Sequence, residues 1–102
     1  MFKTLEELIA VIRQRKESSV EDSYTYKLLK NKKLSVEKIK EEIAELIEAV
    51  EKNTNKVHEA ADVLYHLMVL LEANDIKIED VMNELKKTNG KYLPTVVGKL
   101  QE

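Results

Sequence analysis

The sequence predicts an all-α chain, and three observations lead there. Only two glycines and one proline occur, and both glycines fall within the last thirteen residues. Valine, isoleucine and leucine recur at helical rather than alternating spacing. The serines, aspartates and asparagines that punctuate these periodic runs stand where helix ends are expected.

Taken in order, Thr4 is the expected N-cap of a first helix from about Leu5 to Glu17, with Leu5, Leu8, Ile9 and Ile12 as its apolar stripe. Ser18 and Ser19 interrupt it. Asp22 or Ser23 caps a short second helix through "YTYKLLK", and the polar run "KNKK" is read as a connection. Ser35 is then the expected cap of a long third helix to about Asn53, with Ile39, Ile43, Leu46, Ile47 and Val50 as its core face. "NTN" breaks it. A fourth helix runs from about Lys56 to Ala73 and is apolar nearly all the way round; "AND" ends it before a fifth, "IEDVMNELKK". The domain is expected over residues 1–88, and 89–102, with Gly90, Pro94 and Gly98, as a weakly structured tail, loosely held or packed on a partner.

A helix that is apolar on all sides must be covered on all sides, which four short amphipathic helices of one chain can hardly do. The third and fourth helices, joined by the short "NTN" turn, form an antiparallel hairpin. Two such hairpins would make a four-helix-bundle core in a homodimer.

Composition narrows the function. With 102 residues the chain is one domain of modest core. The absence of cysteine excludes disulfides and a thiolate zinc site, and two histidines make a histidine-rich metal site a poor expectation. Seventeen basic against nineteen acidic residues argue against a nucleic-acid binder that relies on a bulk positive field. "MFKTLEELIAVIRQRK" lacks the basic start and unbroken apolar run of a signal peptide, and the longest apolar run, Val63 to Leu71, is broken by His66 and too short to span a bilayer. The expectation is a soluble cytoplasmic protein with neither a nucleic-acid nor a membrane partner.

Against this background the acids of "HEAADVLYHLMVLL" stand out. Burying a carboxylate without a partner costs several kcal/mol in practice, so Glu59 and Asp62 on an apolar helix are expected to hold a cation. The third helix carries Glu41, Glu42 and Glu45. At about 100° per residue Glu42 lies at the edge of the expected core face with Glu45 further round, while Glu41 and Glu48 point away. The hairpin can bring Glu42, Glu45, Glu59 and Asp62 together. Four acids in a partly dry cleft repel one another unless divalent cations neutralise them, and an all-oxygen donor set favours Mg²⁺ first and Mn²⁺ second. Each feature also has a plainer reading: "EEIAELIEAVE" as a solvated helix face, His66 as a satisfied core residue, His58 as a surface residue, and Tyr24, Tyr26 and Tyr65 as core aromatics with hydroxyls at the rim.

The order "EEIAE" then "EAAD" resembles the acidic motif of the all-α nucleoside triphosphate pyrophosphatases, the MazG-like superfamily. Together, "LEELIAVIRQRK", "DSYTYKLL", "EAADVLYHLMVLL" and "IEDVMNELKK" resemble the phosphoribosyl-ATP pyrophosphatase family of histidine biosynthesis from about Leu5 to Lys87. The resemblance implies Mg²⁺-dependent hydrolysis between the α and β phosphates of phosphoribosyl-ATP, giving phosphoribosyl-AMP and pyrophosphate. It implies that Glu42, Glu45, Glu59 and Asp62 hold the metal, with Glu41 behind them, and that Glu45 or Glu42 orients or deprotonates the attacking water. Lys27 and Lys38 are then expected on phosphates, Ser23 and Thr25 as hydroxyl donors and His66 as a substrate contact. Association with phosphoribosyl-AMP cyclohydrolase, which takes the product, is a further expectation. Two rival readings stand beside this one: a house-cleaning nucleoside triphosphate pyrophosphatase of the same fold, and a non-catalytic helical dimerisation module.

Overall fold

The computed structural model describes residues 1–17, 23–87 and 92. Among these, five helices follow one another without a strand: α1 (Lys3–Glu17), α2 (Tyr24–Lys30), α3 (Lys32–Lys52), α4 (Lys56–Ala73) and α5 (Ile78–Lys87). The expected interruption at Ser18 and Ser19, the alternative cap Asp22 and, Tyr92 apart, the tail 89–102 lie outside the described residues.

Two expected caps are displaced. Helix α1 begins at Lys3, because the Glu6 N–H already donates to the Phe2 carbonyl at 3.2 Å, so Thr4 lies inside the helix instead of capping it. The connection "KNKK" contracts to Asn31 alone, whose side chain accepts from the Leu34 N–H at 3.0 Å and caps α3. Asparagine caps as well as serine, and the two lysines after it are good helix formers, so the helix starts earlier than Ser35. Ser35 is instead buried, and its hydroxyl donates to the Leu28 carbonyl at 2.6 Å, tying α3 to α2. Ser23 does cap α2, accepting from the Tyr26 N–H at 3.3 Å.

The turn between α3 and α4 follows from asparagine chemistry. Asn53 and Asn55 take left-handed backbone conformations, φ 56° and 48°, which asparagine tolerates better than most residues. The chain reverses there, and α3 packs along α4 as the most extensive helix pair. The core lies toward the far end of α4, where Met68, Val69 and Ala73 meet Ile12 of α1 and Leu28 and Leu29 of α2. Arg13 of α1 grips Glu79 of α5 with two hydrogen bonds at 2.6 and 2.9 Å, and its guanidinium holds that carboxyl down to about 2. Lys16 pairs with Glu72 and Asp75. These ion pairs tie α1 across the α4–α5 corner.

The face that α3 buries is not the one its apolar stripe predicts. Ser35, Ile39 and Ala49 are buried, whereas Ile43, Ile47 and Val50 are 43%, 54% and 58% exposed. Ile39 belongs to both faces, and at about 100° per residue the buried face is turned by roughly a sixth of the circumference from the expected one. Small Ser35 and Ala49 let the helices approach closely, and the bulky residues are left outside. On α4, Val57 and Leu64 are likewise exposed. Replacing Ser35 by alanine removes one buried hydrogen bond and should lower stability by about 1 kcal/mol. Urea unfolding with an unchanged slope checks this, and an unchanged midpoint would contradict the tie.

Candidate active site

Turning the buried face of α3 brings Glu42 toward α4, where Glu59 stands in the first turn. Ligand oxygens from Glu42, Glu45 and Glu59 lie within 4.8 Å of one another. A second group of His58, Glu59 and Asp62, equally close, shares Glu59 with the first. Three of the four expected carboxylates therefore meet directly. Asp62 joins them at one remove, through Glu59, and its carboxylate lies 3.3 Å from the exposed His58 imidazole.

The electrostatics are unfavourable for the acids alone. One oxygen each of Glu42 and Glu59 is buried without a hydrogen-bond partner. Burial pushes the Glu42 carboxyl above its ordinary value, the Glu45 charge pushes it further, and His66 opposes them. Glu59 is raised in the same way, by burial first and then by Glu45. An all-carboxylate donor set with two unpartnered buried oxygens fits a hard divalent cation, Mg²⁺ or Mn²⁺.

The remaining expected residues separate into groups. Glu41 is exposed and pairs with half-buried Lys38 at 3.4 Å, raising the lysine. Lys27 is exposed on α2. The Ser23 hydroxyl is engaged in its cap, and Thr25 hydrogen-bonds the Tyr65 hydroxyl. His66 is buried with both ring nitrogens engaged. Its Nδ1 lies 2.8 Å from the Asp62 carbonyl oxygen, which can only accept, so Nδ1 carries the proton. Nε2 then accepts from the Tyr24 hydroxyl at 3.0 Å. Burial raises the Tyr24 phenol, which keeps it a donor.

Sequence reasoning missed an open cleft of about 260 Å³ between Glu45 and Glu59, also lined by Glu48, Ala49, Lys52, Thr54 and Asn55. The signal was present in the short "NTN" turn, which must bring the end of α3 beside the start of α4 near the acids. Tyr24 was missed as well. It reads as a core aromatic, yet it is 46% exposed.

The family model described as phosphoribosyl-ATP pyrophosphohydrolase matches residues 5–89, a span that includes every carboxylate above. The chain belongs to this family. The histidine biosynthesis bifunctional protein HisIE of Pyrococcus furiosus is 48% identical over 84 residues, 81% of this chain and 40% of that protein. The chain thus spans less than half of this longer relative. The phosphoribosyl-ATP pyrophosphatase of Clostridium novyi is 44% identical over 91 residues, covering 85% of this chain and 82% of its own. That of Methanococcoides burtonii is 42% identical over 91 residues, 84% and 92% of the two chains. No solved structure matches the chain.

Because folding raises the Glu42 and Glu59 carboxyls, their ionisation disfavours the folded state. The stability they contribute is full below the ordinary carboxylate range and is lost as pH rises through the raised values. Glu42→Gln in chelator should therefore raise the melting temperature at neutral pH and change little below about pH 4, where the wild-type group is already protonated. Added Mg²⁺ should raise the melting temperature of wild type more than that of the variant. A variant that melts earlier than wild type at neutral pH in chelator would contradict this reading.

Proposed function

We propose that the chain hydrolyses phosphoribosyl-ATP to phosphoribosyl-AMP and pyrophosphate, a step of histidine biosynthesis, and that Mg²⁺ is its cofactor. The observation that carries the reading is the convergence of Glu42, Glu45 and Glu59 within 4.8 Å, inside the span matched by the family. Glu42, Glu45, Glu59 and Asp62 hold the cation. Once bound, it would neutralise phosphate oxygens and polarise the scissile anhydride.

The chain's own groups do the rest. Glu45 is exposed and reaches the cleft, which gives it the solvent access that a water-orienting carboxylate needs. Glu42, whose carboxylate oxygen lies within 4.8 Å of that of Glu45, is the other group placed to take the water's proton. Lys38 and Lys27 supply positive charge for phosphates, and Glu41 holds Lys38 in place. Ser23 and Thr25 keep their hydroxyls within the protein, so in this reading they shape α2 and the lysines carry the anion contacts.

The protein acts as a homodimer. Ile43, Ile47 and Val50 on α3 stand at i, i+4 and i+7, and Val57 and Leu64 on α4 at i and i+7, all exposed on the single chain. Pairing two hairpins through these stripes gives the four-helix bundle that the apolar surface calls for. No described helix is long and apolar enough to cross a membrane, in keeping with a cytoplasmic enzyme. The bifunctional relative, which places a region like this chain inside a longer protein of histidine biosynthesis, supports association with phosphoribosyl-AMP cyclohydrolase.

Two outcomes are expected. Pyrophosphate should be released from phosphoribosyl-ATP in preference to ATP or deoxynucleoside triphosphates, should cease in chelator with the helical signal retained, and should fall about a hundredfold or more in Glu59→Gln. Equal turnover of all these nucleotides would favour a house-cleaning enzyme, and full activity in chelator would remove the metal. Ile47→Asp should convert a dimer into a folded monomer in sedimentation at micromolar concentration, since Ile47 is 54% exposed and contributes little to the chain's own core. A wild type that sediments as a monomer would contradict the assembly.

A further inference from the structure

We infer that the exposed face of Tyr24 is the platform on which the purine-derived base of the nucleotide stacks, with His66 and Tyr65 as the groups that hold it. The inference rests on the phosphoribosyl-ATP reading and names a contact that reading leaves open. Tyr24 opens α2 directly after the cap Ser23, and the residue is 46% exposed. A single exposed tyrosine is ordinary. This one is immobilised: its hydroxyl donates to Nε2 of buried His66 at 3.0 Å, and that ring is fixed in turn by the Asp62 carbonyl at 2.8 Å. The Tyr65 ring lies nearly parallel, 20° between planes with centroids 6.3 Å apart, and the His66 ring meets Tyr24 edge-on at 5.9 Å. Tyr65 is anchored by Thr25, the next residue of α2.

Consecutive residues of α2 are thus fastened to consecutive residues of α4, and Tyr24 among them remains open to solvent. A ring already held in place loses little freedom when a planar ligand lies on it. Location supports the assignment, because Tyr24 lies within electrostatic reach of Lys38, Glu41 and Glu42, so a base on this ring would sit near a triphosphate at the carboxylates. The arrangement also gives His66 a task that fits its engaged nitrogens. It acts through Tyr24 as a positioning residue.

The test compares kinetics on phosphoribosyl-ATP at saturating Mg²⁺ for wild type, Tyr24→Phe and Tyr24→Leu, with melting and sedimentation of each. Phenylalanine keeps the stacking face and loses only the hydroxyl anchor to His66, so KM should rise by no more than about threefold, which measures what the positioning contributes. Leucine keeps the bulk and loses the face, so KM should rise about tenfold while kcat stays within about threefold. An unchanged KM in Tyr24→Leu, in an otherwise active enzyme, would overturn the platform and leave the activity standing. Loss of kcat at constant KM, loss of the helical signal, or dissociation of the assembly would overturn it too, by marking the ring as structural. Wild type that releases no pyrophosphate from phosphoribosyl-ATP would overturn both readings together.

Discussion

Repulsion among Glu42, Glu45 and Glu59 is the constraint on which the rest of the arrangement depends. Their oxygens lie within 4.8 Å of one another, and two of them bury an oxygen that no protein group satisfies. A chain with a modest core can hold such a cluster only if stability comes from elsewhere. Here it comes from the far end of α4, where Ile12, Leu28 and Val69 are almost wholly buried, and from the ion pairs of Arg13 and Lys16 across the α4–α5 corner. The apolar contacts and the acids are separated along one helix. Each turn of α4 toward its N-terminus exchanges packing for charge.

Close approach of α3 and α4 is the second requirement. Small, buried Ala49 lies beside Glu45 and Glu59 in the wall of the cleft, and the left-handed Asn53 and Asn55 supply the tight reversal. Because the small residues face inward, Glu42 is turned toward α4 and Ile43, Ile47 and Val50 are turned out. The orientation that assembles the carboxylates is thus also the one that exposes Ile43, Ile47 and Val50 on the single chain, the stripe through which the proposed dimer would pair.

Much of this was legible in the sequence, and the exceptions have physical causes. The bounds of α4 and α5 were readable because Lys56–Ala73 is strongly apolar, with Asn55 and Asn74 at its ends, and Ile78–Lys87 is sharply amphipathic. The starts of α1 and α3 were harder: Thr4 and Ser35 are good caps by type, but a neighbouring backbone bond and Asn31 acted first. The α3 face was misjudged because hydrophobicity reports which residues avoid water, without saying whether they avoid it within one chain or between two. That Glu42, Glu45 and Glu59 come together, with Asp62 beside Glu59, was legible because the short turn sets α3 against α4 and carboxylates on an apolar helix stand out. Tyr24 and His66 were harder to assign, since the hydrogen bond between them joins residues forty-two apart and no local pattern announces it.

The folded chain holds its clustered carboxylates at a cost that the proposed divalent cation would remove. The pH titration of the Glu42 and Glu59 side-chain carboxyl carbons by NMR, first in chelator and then in Mg²⁺, reads that cost residue by residue. Midpoints above the ordinary glutamate value are expected without metal, with a large downward displacement of both when Mg²⁺ is added. Midpoints at the ordinary value that do not move with Mg²⁺ would show that these acids are merely solvated side chains on a helical scaffold.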